Sequence, residues 1–397
     1  MSKSYRCVDC HKEVSIVSKH EDLSCRDCHL GVEPAKTKKE AHTNLFKEFT
    51  VEKIESLCQR CHSQEVKLYK ESSHYHYKRE LQSILRGFNI KLKIHDFSDL
   101  VNLKGDPSTR EGLLLDFLKR RCLTCHIWSK GENYAQTSRE RGCFSCHKPH
   151  SLTKPKEETC LSCHYSTRIG WDYYGLFPHN WALDYRSPFI EGDFPARPFG
   201  IEAYNLTPDI HKMKGLTCLN CHSKEEVMYG KKGKTCYDCH KKMNPLLFHN
   251  PLVMKKIRCE ACHSNYLLQD RLKICSLESS IDFEEKINLM IQESREIEDI
   301  FTEYLKGNKV QLNMTDKFNG EVKEGIWFCT LSDRQFTQIT LGRDEKGRIC
   351  VLREETLIIK ANNYELRGAF RQCKTVHSIG RGDLFRAFKL INDLNQR

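Results

Sequence analysis

Asp209-Ile-His-Lys-Met-Lys-Gly-Leu-Thr-Cys-Leu-Asn-Cys-His222 sets the terms for reading this chain. Cys218 and Cys221 are separated by two residues, His222 follows directly, and a second histidine, His211, lies upstream. The pattern C-x-x-C-H recurs at Cys7/Cys10/His11, Cys25/Cys28/His29, Cys58/Cys61/His62, Cys122/Cys125/His126, Cys143/Cys146/His147 and Cys160/Cys163/His164. It appears again at Cys236/Cys239/His240 and Cys259/Cys262/His263. The nine copies use 18 of the 22 cysteines. They fall into three groups of three without a constant period, so the chain reads as an array of similar sites rather than a strict structural repeat.

Three chemistries use C-x-x-C units. A thioredoxin-like redox pair uses one of them and needs no histidine beside it. Zinc sites pair such units, but tetrahedral zinc gives no reason for a histidine after every second cysteine. Covalent attachment of c-type haem does require the full pattern. Two thiols add to the two vinyl groups on one porphyrin edge, and the adjoining histidine is held against one face of the ring, within reach of the iron.

The motifs therefore resemble those of multihaem c-type cytochromes over residues 7 to about 263, without singling out one family in that class. The resemblance implies nine covalent haem c groups with iron bound by the motif histidines. It also implies a loop-rich fold of short helices packed round a haem stack. Folding is then expected to depend on cofactor attachment.

Histidine supply bears on the opposite face of each iron. The chain has 19 histidines. Nine belong to motifs, and His377 lies in the motif-free C-terminal region. The remainder are His20, His42, His74, His76, His95, His150, His179, His211 and His249, which match nine irons one to one. The simplest account is bis-histidine ligation throughout, giving low-spin irons with no open position. His150 follows His147 through Lys148 and Pro149, which resembles the Cys-His-x-Pro-His pattern of multihaem cytochromes. His74 and His76 can both serve only by facing opposite ways on an extended segment. His211 need not face the haem at Cys218; it can reach a neighbour. Met213, Met228, Met243 and Met254 are alternative ligands that would raise a potential.

Hydrophobic residues make up 39% of the 397-residue chain, thin for a conventional core of this size. Porphyrins would supply the missing apolar volume. The formal charge of +11 invites a nucleic-acid reading. Counting a ferric haem with ionised propionates as −1 and a ferrous one as −2, nine haems bring the total to about +2 oxidised and about −7 reduced. The lysines and arginines then read as propionate partners, and no nucleic-acid partner is expected. No apolar run of membrane-spanning length is present. No signal peptide is present in this sequence, yet haem c maturation in the organisms this class resembles implies a periplasmic or extracellular location.

Residues 1–270 are expected to form the nonahaem domain, with candidate trihaem groups at 1–80, 120–165 and 210–265. Between the groups, Lys78 to Leu85 and Gly112 to Lys119 carry apolar residues at helical spacing. Tyr165 to Thr217 is aromatic-rich, and its prolines forbid long helices. Residues 271–397 read as a separate haem-free α+β domain, mainly β and flanked by helices. Ser280 to Leu305 reads as one amphipathic helix. Strands are expected at Val310–Met314, Gly325–Leu331, Phe336–Leu341, Ile349–Arg353, Thr356–Lys360 and Tyr364–Phe370, in a partly open barrel or sandwich, followed by a helix over Leu384–Leu394. Cys275, Cys329, Cys350 and Cys373 allow three disulfide pairings or free thiols.

Electron transfer through closely spaced haems to redox protein partners is the leading expectation, with no catalytic residue of its own. A haem-dependent reductase of a small nitrogen or sulfur oxyanion is the alternative and needs one open iron. The C-x-x-C-K variant that marks some nitrite reductases is absent. Self-assembly into an oligomer or an extracellular filament is a third reading that the ligand count does not distinguish from a monomer.

Overall fold

The computed structural model describes residues 3–17, 19–46, 48–132, 138–164, 169–178, 203–243, 248–289, 292–330, 333–337, 339–362, 364–373 and 375–395. Short helical turns and loops dominate up to residue 263, and five helices begin on the first cysteine of a motif: Cys7–Cys10, Cys25–His29, Cys218–Cys221, Cys236–Cys239 and Cys259–His263. Four of these start with the same local device. The second spacer residue of the motif (Asp9, Asp27, Asn220 or Asp238) reaches back to the backbone N–H of the N-cap residue, at 2.6–2.8 Å. That is a capping box written inside C-x-x-C. It satisfies donors that a one-turn helix would otherwise leave bare.

Longer helices occupy the gap between the first two motif groups: Lys78–Gly87, Phe97–Asn102 and Arg110–Phe117. The last runs on into a π-helical turn, Leu118–Cys122, which delivers the first cysteine of the fourth motif. Near the aromatic segment a short antiparallel pair, Leu176–Pro178 with Ala203–Asn205, closes a loop. Trp181, Tyr185, Phe189, Phe194, Phe199 and His179 lie outside the described residues.

The C-terminal region forms one mixed six-stranded sheet rather than a barrel or sandwich. Its path runs Tyr364–Cys373, Ile349–Ala361, Leu267–Glu278, Ile326–Cys329. The central pair is parallel, with Leu272 opposite Thr356, and the other pairings are antiparallel. Ile349–Arg353 and Thr356–Lys360, expected as two strands, form one continuous strand. A separate hairpin pairs Asn313–Thr315 with Val322–Glu324. Cys275 is bonded to Cys329, directly opposite it in register, and Cys350 to Cys373. Leu384–Asn395 is helical.

The expected single helix over Ser280–Leu305 is broken. It splits into Phe283–Lys286, a 3-10 turn Ile287–Leu289, and Arg295–Leu305. Gln292 explains the break: its amide accepts from Cys329 N and donates to Cys329 O, both at 2.8 Å. The chain leaves the helix there to complete the sheet edge.

Nor is the sheet a separate unit. One apolar core joins Leu81, Leu85, Phe88, Phe97, Leu113 and Leu118 to Ile326, Trp327, Phe328, Ile359 and Leu366 across residue 270. Helix Lys78–Gly87 meets strand Tyr364–Cys373 through reciprocal glycines. A Cβ on Gly87 would stand 2.3 Å from Phe370, and one on Gly368 would stand 2.7 Å from Phe88. Only glycine lets each ring approach the opposing backbone so closely. The sequence hides this because apolar helix faces in a haem protein read as haem-facing.

Buried charge reinforces the junction. Arg120 donates to Asp116 Oδ2 at 3.0 Å and to the carbonyl of Gly325 at 2.9 Å, and Trp327 Nε1 donates to the same Asp116 oxygen at 2.8 Å. Lys119 pairs with Asp316 at 2.9 Å. No helix among the described residues is long and apolar enough to cross a membrane. Asp116→Ala removes the carboxylate from a fully buried guanidinium. We expect a loss of about 3–5 kcal/mol, since removing one partner leaves an uncompensated buried charge; chemical denaturation of the variant against the parent chain measures it.

Candidate functional site

The histidines are arranged in pairs. His11 faces His42, His62 faces His20, His29 faces His150 and His164 faces His74, with ring centroids 5.9–6.3 Å apart. His240 faces His211, His222 faces His377 and His263 faces His249, again at 5.9–6.3 Å. Every pair joins one motif histidine to one histidine outside the motifs. Imidazole nitrogens bind first-row metals at about 2.0–2.1 Å, which sets two rings on opposite sides of one metal about 6 Å apart. The separation is too wide for ring stacking and suits a single ion between the rings.

Several of these rings are oriented by a second contact through Nδ1. His42 Nδ1 lies 2.8 Å from Lys38 O, His211 Nδ1 is 2.8 Å from Asp209 Oδ1, and His222 Nδ1 is 3.1 Å from Glu226 Oε2. His147 and His263 use the carbonyls of Thr153 and Gly380, at 3.1 and 3.2 Å. Such a contact leaves Nε2 free to bind a metal and is the usual outer partner of a metal-bound imidazole.

Motif cysteines also approach one another between motifs. The thiols of Cys58 and Cys143, Cys125 and Cys163, Cys160 and Cys218, and Cys236 and Cys259 hydrogen-bond, as do those of Cys7 and Cys25. In the unmodified chain the hydrogen bond from Cys236 holds the Cys259 thiol down to about 6 against its burial. Neighbouring attachment points are thus brought edge to edge.

The two thiols of one motif need not share an environment. In the third motif Cys58 is partly buried against Cys143, whereas Cys61, expected as the second attachment point of the same haem, is exposed to solvent. Cys61 N donates to Cys58 O at 3.2 Å in the turn that follows helix Val51–Gln59. In the ninth motif Cys259 and Cys262 are both partly buried, Cys262 beside Arg386. An open thiol is accessible to a vinyl group, so exposure of Cys61 is compatible with attachment but lends it no support from the surrounding chain.

Two motif histidines differ. His126 is stacked on Phe97, with centroids 3.6 Å apart and planes 10° from parallel, and its edge meets Tyr77 at 5.1 Å. Its Nε2 is buried and has no hydrogen-bond partner. Burial pushes this imidazole well below the usual range, so it stays neutral. His147 is the second; among the described residues no histidine ring pairs with either of them at the common separation. Of the remaining candidate ligands, His76 accepts a hydrogen bond at Nδ1 from Lys78 N at 3.1 Å, and His95 is exposed. His179 lies outside the described residues.

Among the described residues no three His, Cys, Asp or Glu side chains converge on a conventional metal cage. Two axial imidazoles plus two thiols beside one of them is instead the donor set a haem needs, and the paired sites fit it. No family model, curated protein or solved structure matches this chain.

His377 carries no sequence signal, since it lies more than a hundred residues beyond the last motif; only three dimensions bring it opposite His222. The capping residues inside the motifs do have one, Asp or Asn at the second spacer position. Another tie links two motifs. The Glu157 carboxylate, three residues before Cys160, accepts from Lys212 Nζ and from Cys218 N, each at 3.2 Å, and from the Tyr174 hydroxyl. Burial pushes Glu157 up, but the Tyr174 and Lys212 hydrogen bonds outweigh it and hold the carboxyl below its ordinary value. A folded value below the unfolded one gives stability that is present above about pH 4.5 and lost as pH falls through the folded value. We expect the unfolding midpoint of Glu157→Gln to lie below the parent's at pH 7 and to fall less on acidification; denaturant titrations at pH 7 and pH 3.5 test this.

Proposed function

We propose that the chain is a multihaem c-type cytochrome that carries electrons through nine covalently bound, mainly bis-histidine haems in periplasmic or extracellular respiratory electron transfer, between redox protein partners. The observation that carries this reading is the strict pairing of seven motif histidines with seven histidines from elsewhere in the chain, all at one separation. Bound haem iron supplies one-electron chemistry by cycling between the ferric and ferrous states.

The protein's part is spacing and tuning. Thiol contacts give an order for the sites. Cys7 meets Cys25, Cys28 lies near Cys58, and Cys58 meets Cys143. Cys146 lies near Cys163, Cys160 meets Cys218, Cys221 lies near Cys239, and Cys236 meets Cys259. Electrons would pass through the motifs at 7, 25, 58, 143, 160, 218, 236 and 259, with the motif at 122 joined at the side through Cys125 and Cys163. Nδ1 acceptors such as Asp209 and Glu226 raise the basicity of their rings and so spread the potentials.

The side branch favours a second reading, a reductase of a small nitrogen or sulfur oxyanion. His126 meets Phe97 and Tyr77 where seven other motif histidines meet histidine. Arg139, which donates to Thr124 O at 2.9 Å and Ser129 O at 3.0 Å, brings a cation to the same loop.

Expression with the cytochrome c maturation machinery in an exporting host should give nine haems per chain by the pyridine haemochrome assay, and none without it. A chain that folds with no covalent haem would end the cytochrome reading. Carbon monoxide titration of the reduced protein separates the two functions: no binding supports the carrier, and binding of one carbon monoxide per chain supports the reductase.

A further inference from the structure

The C-terminal region carries no motif, yet its segment 375–383 runs along the last three sites. His377 stands opposite His222 with ring centroids 6.3 Å apart, the separation of the other pairs, and planes 29° from parallel. Its Nδ1 is buried without a hydrogen-bond partner. A neutral polar nitrogen left bare in this way is unfavourable unless something else binds the ring.

The backbone around His377 is fixed on both sides. Ser378 Oγ donates to Tyr266 O at 2.6 Å, and Asn265 N donates to Ser378 O at 2.7 Å. Ile379 N donates to Asp209 Oδ2 at 2.7 Å, while the other oxygen of Asp209 holds His211, the partner of His240. Gly380 N donates to His263 O at 2.7 Å, and Gly380 O accepts from His263 Nδ1 at 3.2 Å. One short strap thus contacts the sites at 218, 236 and 259.

We infer that His377 is the axial ligand opposite His222, so that the C-terminal domain closes the seventh haem site and locks it to the eighth and ninth. This rests on the haem reading above. The sheet domain is then the frame that holds a ligand strap, not an appendage. The ligand supply changes too, because ten histidines rather than nine are available to face nine irons.

Full-length His377→Ala and His377→Met, matured with haem beside the parent chain and a control changed at an exposed turn residue, Lys346→Ala, test the assignment. Haem per chain is counted first; a parent without haem would sink the haem reading itself, separately from the assignment. With nine haems retained, His377→Ala should convert one haem in nine from low-spin to high-spin by electron paramagnetic resonance, and the reduced form should take up one more carbon monoxide than the parent. His377→Met should keep that haem low-spin at a more positive potential, since thioether ligation raises it. Lys346→Ala should match the parent. Unchanged spin states and potentials in both His377 variants would overturn the assignment, as would loss of haem from both variants at more than this one site.

Discussion

Everything in the first 263 residues depends on opposed imidazole rings about 6 Å apart. Each pair ties a C-x-x-C-H turn to a histidine elsewhere, often far off: His29 to His150, His74 to His164, His222 to His377. A one-turn helix of four or five residues has no stability of its own. A ligand bridge that spans the chain can supply what short helices and a thin apolar content do not. With iron between the rings, as proposed, each pair would be a long-range cross-link as well as a candidate redox site, and folding would depend on the haem.

The exception is the centre of the molecule. Helices over residues 78–117 pack into the C-terminal sheet and form a conventional core with no need of a cofactor. Asp116, Arg120, Trp327, Lys119 and Asp316 pin the π-helical turn that presents Cys122. The fourth motif is thus built on the conventional core, whereas seven of the other motifs carry a histidine pair. That difference in foundation matches its different surroundings, where Phe97 and Tyr77 rather than histidine meet His126. A site that binds small molecules needs such support more than a site that only passes electrons.

The motif residues are plain in the sequence because the spacing of C-x-x-C-H is local and needs no fold to be read. So is the pool of facing histidines, since their number is unusual. Who faces whom is not: pairing is a property of three-dimensional return, and His211 faces His240, not the adjacent His222. His377 is hidden for the same reason. The uneven exposure of Cys58 and Cys61 is hidden as well, because it depends on what packs against the motif, here Cys143 against Cys58. The strands at Ile326–Cys329, Ile349–Ala361 and Tyr364–Cys373 are legible from alternation and turn residues, but the one expected at Phe336–Leu341 is divided between Asp333–Thr337 and Leu341–Arg343, and the sheet's parallel centre is hidden because Leu267–Glu278 begins directly after the last motif and reads as a continuation of it. The shared core is invisible because apolar helix faces carry no label saying whether porphyrin or sheet covers them.

The central claim is that single irons lie between the paired histidines. Anomalous diffraction at the iron edge from crystals of the matured protein addresses it directly. The account predicts nine iron peaks, with seven lying between the rings of His11/His42, His20/His62, His29/His150, His74/His164, His211/His240, His222/His377 and His249/His263, each about 2 Å from both nitrogens. Iron peaks displaced from these pairs, or rings closed on one another without iron, would contradict it.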